Sequence, residues 1–145
     1  MNDRFPTVLV VDDEPDIREL IAGVLEDDGH GVRTAATAEK AIEEVRRRTP
    51  SLVVLDVWLQ GSDMDGLSVL KYLKAIDPLL PVIVISGHGN VETAVAAIRR
   101  GAYDFIEKPL SLAYQLGRSP ASPILTFKPF LNWFDVVRRG RTGVR

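Results

Sequence analysis

The chain has 145 residues, 46% hydrophobic and 26% charged, which suits one domain with an ordinary core and a solvated surface. A net charge of −2 argues against a general nucleic-acid binder, and the absence of cysteine excludes disulfides, thiolate metal sites and thiol catalysis. Residues 1–6 carry no secretory pattern and no apolar run approaches the ~20 residues that span a bilayer, so a cytoplasmic setting away from membranes is expected.

Thr7 to Val11 is a short, wholly apolar, β-branched run that ends on acid, Asp12-Asp13-Glu14. Pro15 suits the first position of a helix, where a missing N–H costs nothing. Ile17, Leu20, Ile21, Val24 and Leu25 then recur at helical spacing, and Gly29 is the expected stop. Gly31 to Ala36 reads as a weaker strand. Thr37 can cap the next helix, whose buried stripe is Ala38, Ala41, Ile42 and Val45. Glu39, Lys40, Glu43, Glu44, Arg46 and Arg47 are expected on its wet side. Ser51 to Leu55 is a continuous apolar run that ends abruptly on Asp56, as in a strand buried on both faces. Residues 57–66 have loop composition. Leu67, Leu70, Tyr72 and Leu73 predict a helix over residues 66–76, ended by Asp77-Pro78. Pro81 to Ile85 is a fourth apolar strand, ending on Ser86. Residues 87–90 form a loop, in which Asn90 caps a short helix from Val91 to Arg100. Gly101 ends that helix. Ala102 to Ile106 is a fifth, half-exposed strand, followed by Glu107-Lys108-Pro109.

Strands and helices therefore alternate, which implies a parallel sheet with helices on both faces. The doubly wound order 2-1-3-4-5 makes the first and third strands neighbours and places ligands between their ends. Asp12, Asp13 and Asp56 then converge on one rim. The fourth and fifth strands bring Ser86 and Lys108 to the same rim. Each residue alone has an ordinary explanation. The acidic run could simply favour a helix N-terminus, Lys108 could be a surface lysine, and Ser86 a loop hydroxyl. Asp56 resists this, because a carboxylate ending a fully apolar strand is costly unless something compensates it.

Three carboxylates at one place repel one another, and Lys108 together with a divalent cation would balance them. An all-oxygen ligand set suits Mg²⁺, or Mn²⁺, rather than zinc. Such a rim resembles a phosphoryl-transfer site in which a carboxylate is the nucleophile. Asp56 is the expected acceptor, with Asp12 and Asp13 holding the metal. Lys108 and the Ser86 hydroxyl would each contact a phosphoryl oxygen.

These residues resemble, one by one, the motif of the receiver domain of two-component response regulators: the acidic pair Asp12-Asp13, the acceptor Asp56, the small hydroxyl Ser86 and Lys108-Pro109. The stretches from Asp56 to Ser62, Ser86 to Val95 and Arg100 to Pro109 are similar to the NtrX nitrogen-regulation subgroup. The match runs over about residues 7–111. The resemblance implies a flavodoxin-like, CheY-like fold and a sensor histidine kinase as phosphoryl donor. It also implies the main-chain carbonyl of Trp58 as a metal ligand and Phe105 as a switch that turns as Ser86 moves inward. A homodimer through the face of the fourth helix, fifth strand and fifth helix is a further implication. NtrX-like proteins carry ATPase and DNA-binding domains after the receiver. Neither is seen here, so direct DNA binding by this chain is not expected.

Two rivals come from other classes. One is an interaction module that keeps the fold without phosphotransfer. The other is a small Mg²⁺-dependent aspartate phosphatase, but Asp56-Val57-Trp58 lacks that class's second acid and the chain has no room for a cap region. The expected division is a receiver domain over 1–112 and an atypical tail over 113–145. Gly117, Pro120 and Pro123 would break a long fifth helix, leaving at most Ser111 to Leu116. From Tyr114 onward the sequence has six basic residues and one acid. That tail reads as an altered ending, such as a frameshift, with a basic and disordered terminus. Its rival is a true replacement that packs Trp133 and Phe134 where the fifth helix belongs.

Overall fold

The computed structural model describes residues 7–27, 29–59, 64–87 and 91–107. Along the chain these form β1 (Thr7–Val11), α1 (Pro15–Asp27), β2 (Gly31–Ala35), α2 (Ala38–Arg47), β3 (Leu52–Asp56), α3 (Gly66–Ile76), β4 (Val82–Ser86), α4 (Val91–Arg99) and β5 (Asp104–Glu107). The strands make one parallel sheet in the order β2-β1-β3-β4-β5, as the alternation of strands and helices predicts.

Burial explains the composition of the strands. Every residue of β3 and β4 is buried, whereas edge strand β2 is mostly accessible. Successive side chains leave the sheet on opposite sides. Leu9, Val11, Val53, Leu55 and Val84 pack with Ala38, Ala41 and Val45 of α2 and with Val69, Leu70 and Leu73 of α3. Val8, Val10, Leu52, Val54, Ile83 and Ile85 pack on the other side with Ile17, Ile21, Val24 and Leu25 of α1. The sheet is thus gripped from both faces, and its strand ends are held at fixed depth along one rim.

The helix signals behave as expected at several points. Thr37 caps α2, its side chain accepting from the Lys40 amide at 3.1 Å. Asp65, not anticipated as a cap, closes the start of α3 in the same way through the Ser68 amide at 2.8 Å. Gly101 follows α4 with φ +103°, a left-handed conformation that side chains with a Cβ rarely adopt. Three details differ. In α3 the buried face runs through Val69, Leu70 and Leu73, while Tyr72 is exposed and its hydroxyl accepts from Arg46 at 2.8 Å. β5 begins two residues later than expected, at Asp104, although the Tyr103 amide just before it already donates to the Val82 carbonyl of β4 at 2.8 Å. The third concerns Glu44. Asn90, Lys108, the expected helix over 111–116 and the tail over 113–145 lie outside the described residues.

Glu44, expected on the wet side of α2, is buried. Arg33 of β2 accounts for this. Its Nη1 donates to Glu44 Oε1 at 2.8 Å and to the Glu44 carbonyl at 3.2 Å, and its Nη2 donates to the Arg48 carbonyl at 2.6 Å. Arg47 adds a second donor to Oε1 at 2.9 Å. The guanidinium of Arg33 therefore ties the edge strand to the end of α2. The hydrogen bond from Arg47, aided by Arg33, holds the Glu44 carboxyl below the usual carboxylate range, against burial that pushes it up. A depressed acid stabilises the fold above its unfolded value and loses that contribution as pH falls through the folded value. Glu44→Gln should therefore unfold at lower temperature than the parent at neutral pH. The deficit should close below about pH 4.3. Thermal melts over a pH series check this; a deficit unchanged by pH would contradict it.

Candidate functional site

The rim is built by the backbone register. Val11 lies opposite Leu55 in adjoining parallel strands, so Asp12, just past β1, stands beside Asp56 at the end of β3. One carboxylate oxygen from each of Asp12, Asp13 and Asp56 lies within 4.8 Å of the others. Asp12 and Asp56 are buried, at 0% and 2% exposure, and Asp13 is half-buried. Each ionised pair at such a separation repels by about 3–4 kcal/mol at an effective dielectric of ~20. Two deeply buried acids kept this close signal a site built for positive charge.

Local hydrogen bonds orient the acids. Asp12 Oδ1 accepts from the Glu14 amide at 2.9 Å, and the Asp12 amide donates to the Ala35 carbonyl at 3.1 Å. Asp56 Oδ1 accepts from the Trp58 amide at 3.3 Å. Trp58, whose amide makes this bond, is 54% exposed, so its side chain is accessible to solvent. Ser86 ends β4 on the same rim and is fully buried; its strand runs beside β3, with Ile85 opposite Asp56. Phe105 sits one strand further out, opposite Val84, half-buried against the larger core cluster. The structure thus gathers Asp12, Asp13 and Asp56 and sets Ser86 and Phe105 on the two strands beyond. Lys108 lies outside the described residues.

Two neighbours of the site escape sequence reasoning. Arg18 of α1 donates from Nη1 to the Asp12 carbonyl at 2.7 Å, which puts a guanidinium against the acidic segment. Its only trace in the sequence is its place one turn into the helix after the acidic run. Gly66 opens α3, and its amide donates to the Val57 carbonyl at 2.7 Å, directly after Asp56.

The donor set can be tested against a divalent cation. Three carboxylates with no nitrogen or sulfur donor suit a hard ion that retains waters. Their spacing allows all three to share one ion, directly or through its waters. The residues fit Mg²⁺ or Mn²⁺.

A parallel 2-1-3-4-5 sheet with this acidic rim defines a class, and the family model for the response regulator receiver domain matches residues 8–115. The chain belongs to the response regulator receiver family. Within it the chain is similar to NtrX: 60% identical over 104 residues to the nitrogen assimilation regulatory protein NtrX of Azorhizobium caulinodans, a match covering 72% of this chain and 23% of that protein. The crystal structure of the receiver domain of NtrX from Brucella abortus is 63% identical with a TM-score of 0.68, covering 70% of this chain and 85% of that one. The beryllofluoride-activated NtrC4 receiver domain dimer, solved in solution, is 38% identical with a TM-score of 0.69, covering 88% of this chain and 98% of that one. The chain therefore spans about a quarter of the length of its curated NtrX relative.

Proposed function

We propose that this chain is a phosphoacceptor, with Asp56 receiving a phosphoryl group from a phosphohistidine of a sensor histidine kinase in a cytoplasmic signalling step. The observation that carries this reading is the meeting of three carboxylates, two of them buried, at the ends of adjoining strands. An Asp56 oxygen attacks phosphorus, the P–N bond breaks, and the imidazole leaves with its electron pair. Bound Mg²⁺ supplies charge neutralisation for the transferring oxygens. Asp12 and Asp13, with Asp56 and the Trp58 carbonyl, are the residues assigned to hold it. Lys108 and the Ser86 hydroxyl are assigned to the phosphoryl oxygens. Inward movement of Ser86 then lets Phe105 turn, and the phosphoryl group biases two packings by its differential contacts. The chain's own catalysis is confined to this self-directed transfer and to hydrolysis of the resulting acyl phosphate, in which water takes the phosphoryl group as inorganic phosphate and the Asp56 carboxylate is regenerated. The division into a receiver over 1–112 and a tail over 113–145 belongs to the same reading.

Beryllofluoride with Mg²⁺ should change Trp58 fluorescence in a Trp133→Phe background. Asp56→Asn should lose the response and Asp63→Asn should keep it. A signal indifferent to Asp56 would favour the interaction-module reading, and multiple turnover of a phosphomonoester would favour the phosphatase.

The reading extends to a homodimer through the α4–β5 face and the expected fifth helix. Val91, Val95 and Ile98 of α4, with Tyr103, expose apolar surface there, at 78%, 42%, 48% and 44%. Sedimentation with and without beryllofluoride checks this; a monomer in both states would sink it. DNA binding is assigned to none of these residues, and sequence-specific retardation of DNA by the chain in a gel would overturn that. No helix among the described residues is long and apolar enough to cross a membrane, in keeping with a reading that assigns no membrane contact.

A further inference from the structure

We propose that Gly66 is a positioning residue for Asp56, setting the depth at which the acceptor's own peptide rests on the start of α3. The inference rests on the phosphoacceptor reading of the site and adds a residue to it.

Gly66 is the first residue of α3 and is buried. A Cβ added there would fall 2.2 Å from the Asp56 carbonyl oxygen, 2.6 Å from Val57 Cα and 2.8 Å from the Val57 carbonyl oxygen. All three atoms are main chain, so no side-chain rotation can make room. The glycine is needed for space, because its φ lies outside the left-handed range. The Gly66 amide also donates to the Val57 carbonyl at 2.7 Å, which locks the helix start to that peptide.

The atoms under pressure belong to the segment that carries the site. Asp56 ends β3, and its Oδ1 accepts from the Trp58 amide at 3.3 Å. On the far side, the Val57 amide donates to the Ile85 carbonyl at 3.0 Å, so the segment is pinned to β4 as well. A side chain at position 66 would push residues 56–58 by about 1 Å, and misplacements of that size are costly wherever chemistry depends on alignment. The Asp56 carboxylate and the main chain leading to the Trp58 carbonyl would be displaced relative to Asp12 and Asp13. The asymmetry between the two glycines near helix ends is informative. Gly101 faces only the flexible stem of Lys74, with Cε at 3.2 Å from an added Cβ, and lies next to none of the site residues.

The test uses the full chain in a Trp133→Phe background, with Mg²⁺ titrated against Trp58 fluorescence and folding checked by circular dichroism. Gly66→Ala should remain folded at low temperature and bind Mg²⁺ roughly 10- to 100-fold more weakly than the parent, the range seen when groups orienting a metal ligand are disturbed. Gly101→Ala should lose heat stability yet keep parental Mg²⁺ affinity. Parental affinity in Gly66→Ala would overturn the proposal. Equal weakening in Gly101→Ala would also overturn it, by assigning the effect to general loosening. A Gly66→Ala chain that does not fold would overturn it too, since the proposed displacement is confined to residues 56–58, of which only Val57 belongs to a core cluster. A parent that binds no Mg²⁺ would bring down the reading of the site itself, a result distinct from any of these.

Discussion

Asp56→Asn is expected to abolish labelling by acetyl phosphate and to make the metal-free protein harder to melt. The first effect follows from removing the proposed nucleophile, for which an amide is no substitute. The second follows from electrostatics. Three carboxylates within 4.8 Å oppose one another when ionised, and two of them are buried. Neutralising Asp56 relieves about 3–4 kcal/mol of repulsion per pair in a medium of effective dielectric ~20. Local relaxation and the weakening of the contacts that the Asp56 charge makes reduce this. A net gain of about 1 kcal/mol would raise Tm by about 4–8 °C for a domain of 60–100 residues. Mg²⁺ should erase much of the difference, because it stabilises the parent more than the variant. Calorimetry with and without Mg²⁺ checks the sign, and phosphoryl incorporation checks the chemistry. A variant that is less stable than the parent without metal would mean that the acids are not repelling one another.

Leu55→Ala is the second large expectation, and it acts on the scaffold. Leu55 is fully buried in β3, packs in the larger core cluster, and immediately precedes Asp56. Truncating a buried leucine costs about 2–5 kcal/mol through lost transfer energy and the cavity left behind. Domains of this kind have only about 5–15 kcal/mol in total. Urea unfolding should show a large drop in midpoint with little change in slope. Because the neighbouring strands β1 and β4 hold β3 from both sides, what remains folded should still bind Mg²⁺. A loss below about 1 kcal/mol would indicate that the site can collapse without penalty, contrary to the close packing described.

Much of this architecture could be read from the chain because the strands of a covered parallel sheet announce themselves. Val53 to Leu55 and Val82 to Ile85 carry no polar residue, and each run ends on a residue with chemistry, Asp56 or Ser86. Capping was legible at Thr37 for a similar reason, since a hydroxyl before an apolar stripe has few other uses in that setting. Contacts between distant segments were not legible. Glu44 has the spacing of a wet residue, and Arg33, which holds it together with Arg47, lies on another element. Tyr72 is apolar enough to pass as core, yet its hydroxyl is better served beside Arg46. Arg18 and Gly66 touch the acidic segment through main-chain atoms, which leave no pattern in residue types.

The most direct test is to locate the phosphoryl group. Incubating the chain with acetyl phosphate and Mg²⁺, then reducing any acyl phosphate with borohydride, converts the modified aspartate to homoserine. Peptide mass spectrometry should find homoserine at position 56, dependent on Mg²⁺ and lost when Asp12 and Asp13 are both replaced by asparagine. Homoserine at another aspartate, or modification at 56 that needs neither metal nor those two acids, would contradict the account.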